Sequence, residues 1–173
     1  MKFLKYLLYA ILALIGLTLL IAAFLPKQFK AGSEIIVNKP QQEVFDYIKL
    51  VKNQSNYDNW SRQDPHIQKE YMGVDGTPGF TYTWKSKKVG DGKQVITHVE
   101  EPKRIDMDLY FNGSEDANKS FMEVISVTPS QSKVIWKIEG SIPYPFNIMT
   151  LCYDMSKDFD AGLANLKDIL EKP

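Results

Sequence analysis

The sequence predicts an α+β domain in which a curved antiparallel sheet of six to seven strands surrounds a long C-terminal helix, with two short helices after the first strand and one transmembrane helix before the domain. Three observations carry this prediction. The first is an uncharged apolar segment at residues 6–25. The second is a series of period-two segments joined by short turns, which is typical of antiparallel strands. The third is an amphipathic pattern at the C-terminus, which is typical of a helix that packs on a sheet.

Residues 6–25 are the predicted membrane anchor. A helix of this length extends about 30 Å, which matches the hydrocarbon core of a bilayer. Two lysines precede the segment, and Pro26 and two more lysines follow it, so the proline can end the helix and the lysines can reach lipid headgroups. A cleaved signal peptide would need a shorter apolar region with a small-residue cleavage site. A buried core helix does not suit a terminal segment without a polar stripe.

The flanking charges also predict an orientation. Two lysines stand on each side of the anchor, and the N-terminal amino group adds positive charge before it. Because positive flanks tend to stay in the cytoplasm, we expect a single-pass membrane protein whose folded domain lies outside the cytoplasm. The predicted parts are an anchor with its basic flank at residues 1–26, a tether at residues 27–32 and a folded domain at residues 33–173.

Charge and composition exclude several functions. The chain has 21 Lys and Arg residues and 21 Asp and Glu residues, and this lack of a basic excess argues against a nucleic-acid-binding protein. The single cysteine, Cys152, cannot form an intrachain disulfide. The two histidines, His66 and His98, lie far apart, and no cluster of Cys and His exists. We therefore expect neither a metal site nor another cofactor.

The folded domain begins with a short strand at residues 33–38, followed by helical spacing of apolar residues over 43–51. From residue 66 onward the pattern has period two. The clearest strand alternates Phe80, Tyr82 and Trp84 with polar residues. Further strands are predicted at residues 66–72, 94–100, 105–111, 121–128 and 133–139.

The last segment has the strongest helical pattern of the folded domain. Its apolar residues recur every three or four positions opposite a charged face, which predicts an amphipathic helix of about twenty residues. These apolar positions are Cys152, Met155, Phe159, Leu163, Leu166 and Leu170. The sheet is the only surface available to them. Twisted strands that close on one helix tend to leave a cavity lined by alternate strand residues.

Five phrases follow one another through the folded domain: EIIVNKPQQEVFDYI (34–48), NYDNWSRQDP (56–65), GTPGFTYTWKSKKVGDGKQVITHVEEPKRID (76–106), VIWKIEG (134–140) and DAGLANLKDILE (160–171). In this order they resemble the START-like, or SRPBCC, superfamily and its polyketide cyclase/dehydrase-like subgroup. The resemblance implies a Bet v 1-like helix-grip fold that holds an apolar or amphipathic molecule between the sheet and the C-terminal helix. It supplies no catalytic motif for the whole superfamily, so cyclase activity does not follow from it.

Eight residues are candidates for lining such a cavity. They come from the predicted strands and from the apolar stripe of the last helix, and aromatic residues dominate the set. The candidates are Phe80, Tyr82, Trp84, His98, Met107, Trp136, Met155 and Phe159. If the cavity exists, the Tyr82 hydroxyl and the Trp84 indole N–H can orient a ligand. The alternative is that these aromatic side chains fill the core and that His98 is a partly exposed strand residue.

Three functions remain open. The first is binding of a small hydrophobic or lipid-like ligand by a domain held at the membrane, and we expect this function and no catalytic residue. The second is an enzyme that acts on an aromatic or polyketide-like substrate, which needs an acid or base in the cavity. His98, Tyr82 and Glu123 are its candidates. The third is a protein-interaction module, which predicts a filled core and an exposed apolar patch.

Overall fold

The structure is a computed structural model that describes residues 2–172. The chain forms two compact units. One consists of the residues up to Phe29 together with Ser141–Asp154, and the other consists of Lys30–Gly140 together with the residues from Met155 onward. The second unit contains nearly all of the sheet and every α-helix that follows the first one.

The elements follow the predicted order. They are α1 (Lys2–Phe24), β1 (Gln28–Val37), α2 (Gln41–Ile48), α3 (Val51–Tyr57), α4 (Asn59–Gln63), β2 (Gln68–Met72), β3 (Thr81–Lys85), β4 (Gly92–Glu100), β5 (Arg104–Phe111), β6 (Asn118–Thr128), β7 (Gln131–Ser141), a 3-10 helix (Phe146–Leu151) and α5 (Ser156–Glu171).

The seven strands form one curved sheet in the order β1-β7-β6-β5-β4-β3-β2. From β2 to β7, each strand pairs antiparallel with the next one in sequence. The meander therefore ends on β7, and β1 closes that side of the sheet. This arrangement confirms the predicted helix-grip fold, although three short helices lie between β1 and β2 where two were predicted.

The two faces of the sheet differ in burial. The face that we call the inner face carries buried apolar residues such as Ile105, Met122 and Trp136, because alternate strand residues point to the same side. The outer face carries charged residues such as Asp106 and Glu123, both of which contact Arg104. Burial of the inner face is the main apolar contribution to the stability of this unit.

Helix α5 packs on the inner face through Trp136. The Phe159 ring meets the Trp136 ring edge to face, with 4.9 Å between the centroids. One turn later, a Cβ at Gly162 would stand 3.0 Å from Cζ3 of Trp136. The absence of a side chain at position 162 therefore lets the helix backbone approach the indole ring closely.

Two boundaries differ from those predicted. β1 begins at Gln28, so residues 28–32 of the tether predicted at residues 27–32 are strand. Gly32 lies so close to β7 that a Cβ there would stand 2.4 Å from the carbonyl oxygen of Trp136. The C-terminal helix begins at Ser156, and Cys152 is exposed outside it. The apolar spacing continues upstream of the helix, but residues up to Asp154 belong to the other compact unit.

The other unit contains α1 and the 3-10 helix. Within residues 2–172, α1 is the one helix that is long and apolar enough to cross a membrane. The amide Nδ2 of Asn147 donates to the carbonyl oxygen of Ala22 at 2.8 Å and to that of Leu25 at 3.0 Å. Asn147 therefore supplies donors to carbonyl groups at the C-terminal end of α1, which have no partner inside the helix itself.

The approach of α5 to Trp136 leads to a stability prediction. Gly162→Val places methyl groups against the indole ring and should lower the free energy of unfolding by about 1–3 kcal/mol, the usual cost of overpacking. Ala164→Val is the matched control, because Ala164 is exposed on the same helix, and should change it by only about 0.5 kcal/mol. Urea unfolding of the full chain in detergent, followed by tryptophan fluorescence, measures both. Equal losses in the two variants would contradict the packing described.

Candidate ligand-binding site

The centre of the space between the sheet and α5 is filled by aromatic rings. Trp136 is buried and contacts three rings edge to face: Phe159, Tyr57 at 5.7 Å and Trp60 at 6.1 Å between centroids. Trp60 also meets Phe159 at 5.3 Å. These side chains occupy the place where the sequence predicts the middle of a cavity. Any ligand site on the inner face must therefore lie to one side of Trp136, or the rings must move.

A second set of aromatic rings lies on the inner face toward the β2 edge, and we call it the aromatic row. Its members are Tyr71 on β2, Tyr82 and Trp84 on β3, Phe111 on β5, and Phe80 just before β3. Successive centroids are close, with 5.1 Å between Tyr71 and Tyr82, 5.3 Å between Tyr82 and Trp84, and 6.1 Å between Trp84 and Phe111. Phe80 and Tyr82 are buried, Trp84 is half-buried, and Tyr71 is 38% exposed. The row thus extends from the core to solvent.

The Trp84 ring packs against a glycine of the neighbouring strand. In the β3–β4 register, Trp84 is opposite Gly92, and a Cβ at Gly92 would stand 2.2 Å from Cζ2 of the indole. The ring therefore lies flat over the strand backbone and leaves no room for a side chain at this position. This contact holds the half-buried Trp84 ring in place.

Asp58 is the most unusual polar residue near the row. It is only 5% exposed, and its Oδ1 accepts a hydrogen bond from the Ser61 backbone N–H at 2.6 Å, which caps α4. Burial raises the pKa of the Asp58 carboxyl above its ordinary value, although hydrogen bonds with Ser61 and the charge of Lys69 oppose this rise. A carboxyl kept in such a place costs stability when it is ionised.

Tyr82 is electrostatically linked to Asp58. Burial raises the pKa of the Tyr82 phenol, and the negative charge of Asp58 raises it further. Tyr82 therefore stays protonated at neutral pH and keeps a hydroxyl that can donate a hydrogen bond. The buried middle of the aromatic row thus presents a neutral phenol that is electrostatically linked to a carboxyl group.

Neighbouring elements hold Asp58 in position. Asn165 on α5 donates from Nδ2 to the carbonyl oxygen of Tyr57 at 3.0 Å, at the end of α3. At the start of α3, the Asp75 carboxylate accepts from the backbone N–H groups of Val51 at 2.8 Å and Lys52 at 3.1 Å. The short helix that precedes Asp58 is therefore fixed at both ends.

The next polar group along the inner face is Gln94 on β4, which lies opposite Tyr82 in the strand register. It is buried, and its Nε2 donates to Oε1 of Gln54 at 3.0 Å and to Sδ of Met107 at 2.9 Å. Both donor directions of this amide are used within the protein. The Gln94 amide therefore has no donor left for a ligand.

The eight residues singled out from the sequence fall into four groups. Phe80, Tyr82 and Trp84 lie together in the aromatic row. Trp136 and Phe159 form the filled centre, and Met107 is buried on the inner face. Met155 is half-buried at the N-cap of α5. His98 is exposed on the outer face, apart from the others.

A β-bulge explains the position of His98. Simple alternation places His98 on the face of Gln94 and Ile96, both of which are buried. The β4–β5 register shifts between Ile96 and His98, and His98 pairs with Asp106 on the outer face. Glu123 also lies on the outer face, 3.8 Å from Arg104. Of the three acid–base candidates, only Tyr82 faces inward.

Sequence reasoning missed Asp58. Its burial depends on α3, α4 and α5 meeting over the inner face, and no local pattern shows that. The one available signal was its place in the phrase NYDNWSRQDP, before a capped helix. Within residues 2–172, no group of three or more His, Cys, Asp or Glu side chains is placed to hold a metal ion.

The strand order and the packing of α5 on the inner face of the curved sheet define a helix-grip domain. The sequence matches the family described as polyketide cyclase/dehydrase and lipid transport over residues 28–171. The chain belongs to this family. No curated protein matches its sequence.

Solved structures show the same fold at low sequence identity. Norcoclaurine synthase from Thalictrum flavum superposes with a TM-score of 0.64 at 11% identity, covering 83% of this chain and 94% of that one. Aha1 from Colwellia psychrerythraea gives 0.58 at 14% identity, covering 83% and 96%. An HSP90 activator from Plasmodium falciparum gives 0.57 at 18% identity, covering 86% and 99%. These similarities establish the Bet v 1-like fold.

The burial of Asp58 predicts a pH dependence. Because its folded-state pKa is raised above the ordinary value of 3.8, its protonated form stabilises the fold at low pH, and this stability is lost as the pH rises through the folded-state pKa. Asp58→Asn keeps an N-capping side chain and removes the charge. The stability of the variant relative to the natural chain should therefore increase as the pH rises from about 4 to 7. Thermal unfolding across this range measures the difference, and parallel curves would contradict it.

Proposed function

We propose that this protein binds a small, flat, amphipathic molecule on the inner face, against the aromatic row, and holds it close to a membrane. The observation that carries the proposal is the row itself, in which exposed Tyr71 stacks on buried Tyr82, and Tyr82 is electrostatically linked to Asp58. A mostly apolar surface with a few convergent polar groups is the usual composition of small-molecule sites.

The chemistry of the row selects the ligand class. Aromatic faces favour a flat ring that stacks or meets them edge to face. Near Tyr82, its hydroxyl can donate and the Asp58 carboxyl can accept, which favours a ligand with a hydroxyl, amine or carbonyl group. One structural neighbour, norcoclaurine synthase, has been crystallised with dopamine and hydroxybenzaldehyde. Both of those molecules have one aromatic ring and polar substituents.

Helix α1 supplies the membrane attachment in this proposal. Almost every large apolar side chain of α1 is exposed, and a surface of this kind is stable in lipid and unfavourable in water. The folded domain then lies outside the cytoplasm, as the flanking charges favour. Protease added to bacterial spheroplasts that express the full chain should digest the folded domain. Protection of the domain until the cells are lysed would indicate the opposite orientation, with the domain in the cytoplasm.

The filled centre favours a second function, protein interaction without a ligand. Rings occupy the middle of the predicted cavity, and Met72 and Val74 are exposed at the β2 edge, 69% and 71% respectively. Two structural neighbours are Aha1 and an HSP90 activator. In that case small aromatic molecules should not bind the inner face at all.

A pair of tyrosines on opposite faces tests the ligand proposal. Tyr82 is on the inner face, and Tyr110 is on the outer face, where it lines an open groove of about 540 Å³ that Trp84 also borders. We expect Tyr82→Phe to weaken binding of a hydroxylated naphthalenesulfonate by about 2- to 10-fold, the loss of one hydrogen bond, and Tyr110→Phe to leave it unchanged. Fluorescence titration of the full chain in nanodiscs measures both dissociation constants.

The same naphthalenesulfonate without its hydroxyl group is the matched control ligand. Its affinity should be the same for the natural chain and for Tyr82→Phe, because it has no hydroxyl group to pair with Tyr82. Binding that responds only to Tyr110→Phe would place the ligand in the outer groove and contradict the proposal. Absence of saturable binding by either compound would favour the protein-interaction function.

A further inference from the structure

We infer that residues 141–153 lie in the headgroup region of the bilayer that α1 spans, so that the protein contacts the membrane at two places. We call these residues the interfacial segment. This inference rests on the proposed membrane attachment through α1 and adds a second lipid-binding surface to it. The partner is the lipid itself, at the boundary between headgroups and acyl chains.

The composition of the interfacial segment is the first argument. Its sequence, SIPYPFNIMTLCY, contains no charged residue, and the nearest charged neighbours are Glu139 before it and Asp154 after it. Most connecting segments on a water-facing surface are polar. Tyr and other aromatic residues are enriched where a protein crosses the membrane–water interface.

The exposure of its side chains is the second argument. Five large apolar residues of the segment are exposed, with Phe146 and Leu151 at 62% each: Tyr144, Phe146, Met149, Leu151 and Tyr153. They fall within ten consecutive positions, around the 3-10 helix. Contiguous exposed apolar residues of this kind mark a surface that binds another apolar phase or partner.

The attachment of the segment to α1 is the third argument, and it selects lipid as the partner. Buried Asn147 donates to the carbonyl oxygens of Ala22 and Leu25, and the Ile142 N–H donates to the Lys27 carbonyl oxygen at 2.8 Å. These contacts fix the segment at the end of α1, where the apolar stretch gives way to Pro26 and Lys27. A segment held there lies at headgroup depth whenever α1 spans the bilayer.

The Asn147 contacts also suit that depth. The last carbonyl groups of a helix have no partner within the helix, and few water molecules are available to them at the edge of the hydrocarbon core. The side chain of Asn147 provides donors from within the protein. Nδ2 of Asn147 therefore supplies the hydrogen bonds that the end of α1 needs, while Oδ1 of the same amide is buried without a partner in the described part of the chain.

Cys152, the only cysteine, lies within the segment and is exposed, which allows a direct test. The full chain is labelled there with an environment-sensitive fluorophore and reconstituted into liposomes that contain nitroxide lipids. We expect blue-shifted emission and about twofold stronger quenching by nitroxides near the headgroup than by nitroxides near the acyl-chain ends, since interfacial segments lie about 5–10 Å into the headgroup boundary.

Two control positions separate this inference from the proposed anchor, each in a Cys152→Ser background. Thr18→Cys, within α1, should be quenched most by the deep nitroxide, and Ser114→Cys, in an exposed loop after β5, should be quenched by neither. Quenching at position 18 without quenching at position 152 would overturn the inference and leave the anchor intact. A second protein chain that covers the segment in place of lipid would give this same result. Absence of quenching at both positions would overturn the anchor as well.

Discussion

The approach of α5 to Trp136 is the constraint on which the sheet-and-helix unit depends. Gly162 has no side chain, so the helix backbone comes close to the indole, and Phe159 meets the same ring from the side. Tyr57 and Trp60 complete the contacts around Trp136. The packing that holds the helix in the curved sheet therefore also fills the middle of the space that the fold encloses.

This filled centre restricts the proposed ligand site to the part of the inner face beside Trp136. The remaining aromatic surface lies toward the β2 edge, where Trp84 rests on Gly92 and Tyr71 reaches solvent. The same region contains Asp58, whose burial is unfavourable for an ionised carboxyl. The centre of the inner face is thus well packed, and the costly polar group lies toward the side where we propose that a ligand binds.

Local patterns predicted much of this fold, and tertiary contacts decided the rest. The alternation of Phe80, Tyr82 and Trp84 correctly predicted a strand with one aromatic face, since period two follows directly from strand geometry. Simple alternation places His98 on the inner face, but His98 lies on the outer face because a bulge in β4 reverses the alternation after Ile96. The burial of Asp58 and the closing of the centre by Trp136 depend on three helices meeting over the sheet, and no single segment of the sequence contains that information.

The three tryptophans provide the most direct test of the account, because each indole N–H gives its own signal in a nitrogen–proton correlation spectrum. Trp84 belongs to the aromatic row, whereas Trp136 is sealed in the filled centre. Titration of the isotope-labelled full chain with a hydroxylated naphthalenesulfonate should shift the Trp84 signal and leave the Trp136 signal in place. A Trp84 shift whose midpoint is unchanged in Tyr82→Phe, a shift confined to Trp136, or no shift at saturating ligand would contradict a ligand site on the aromatic row, because Trp84 also borders the groove of Tyr110.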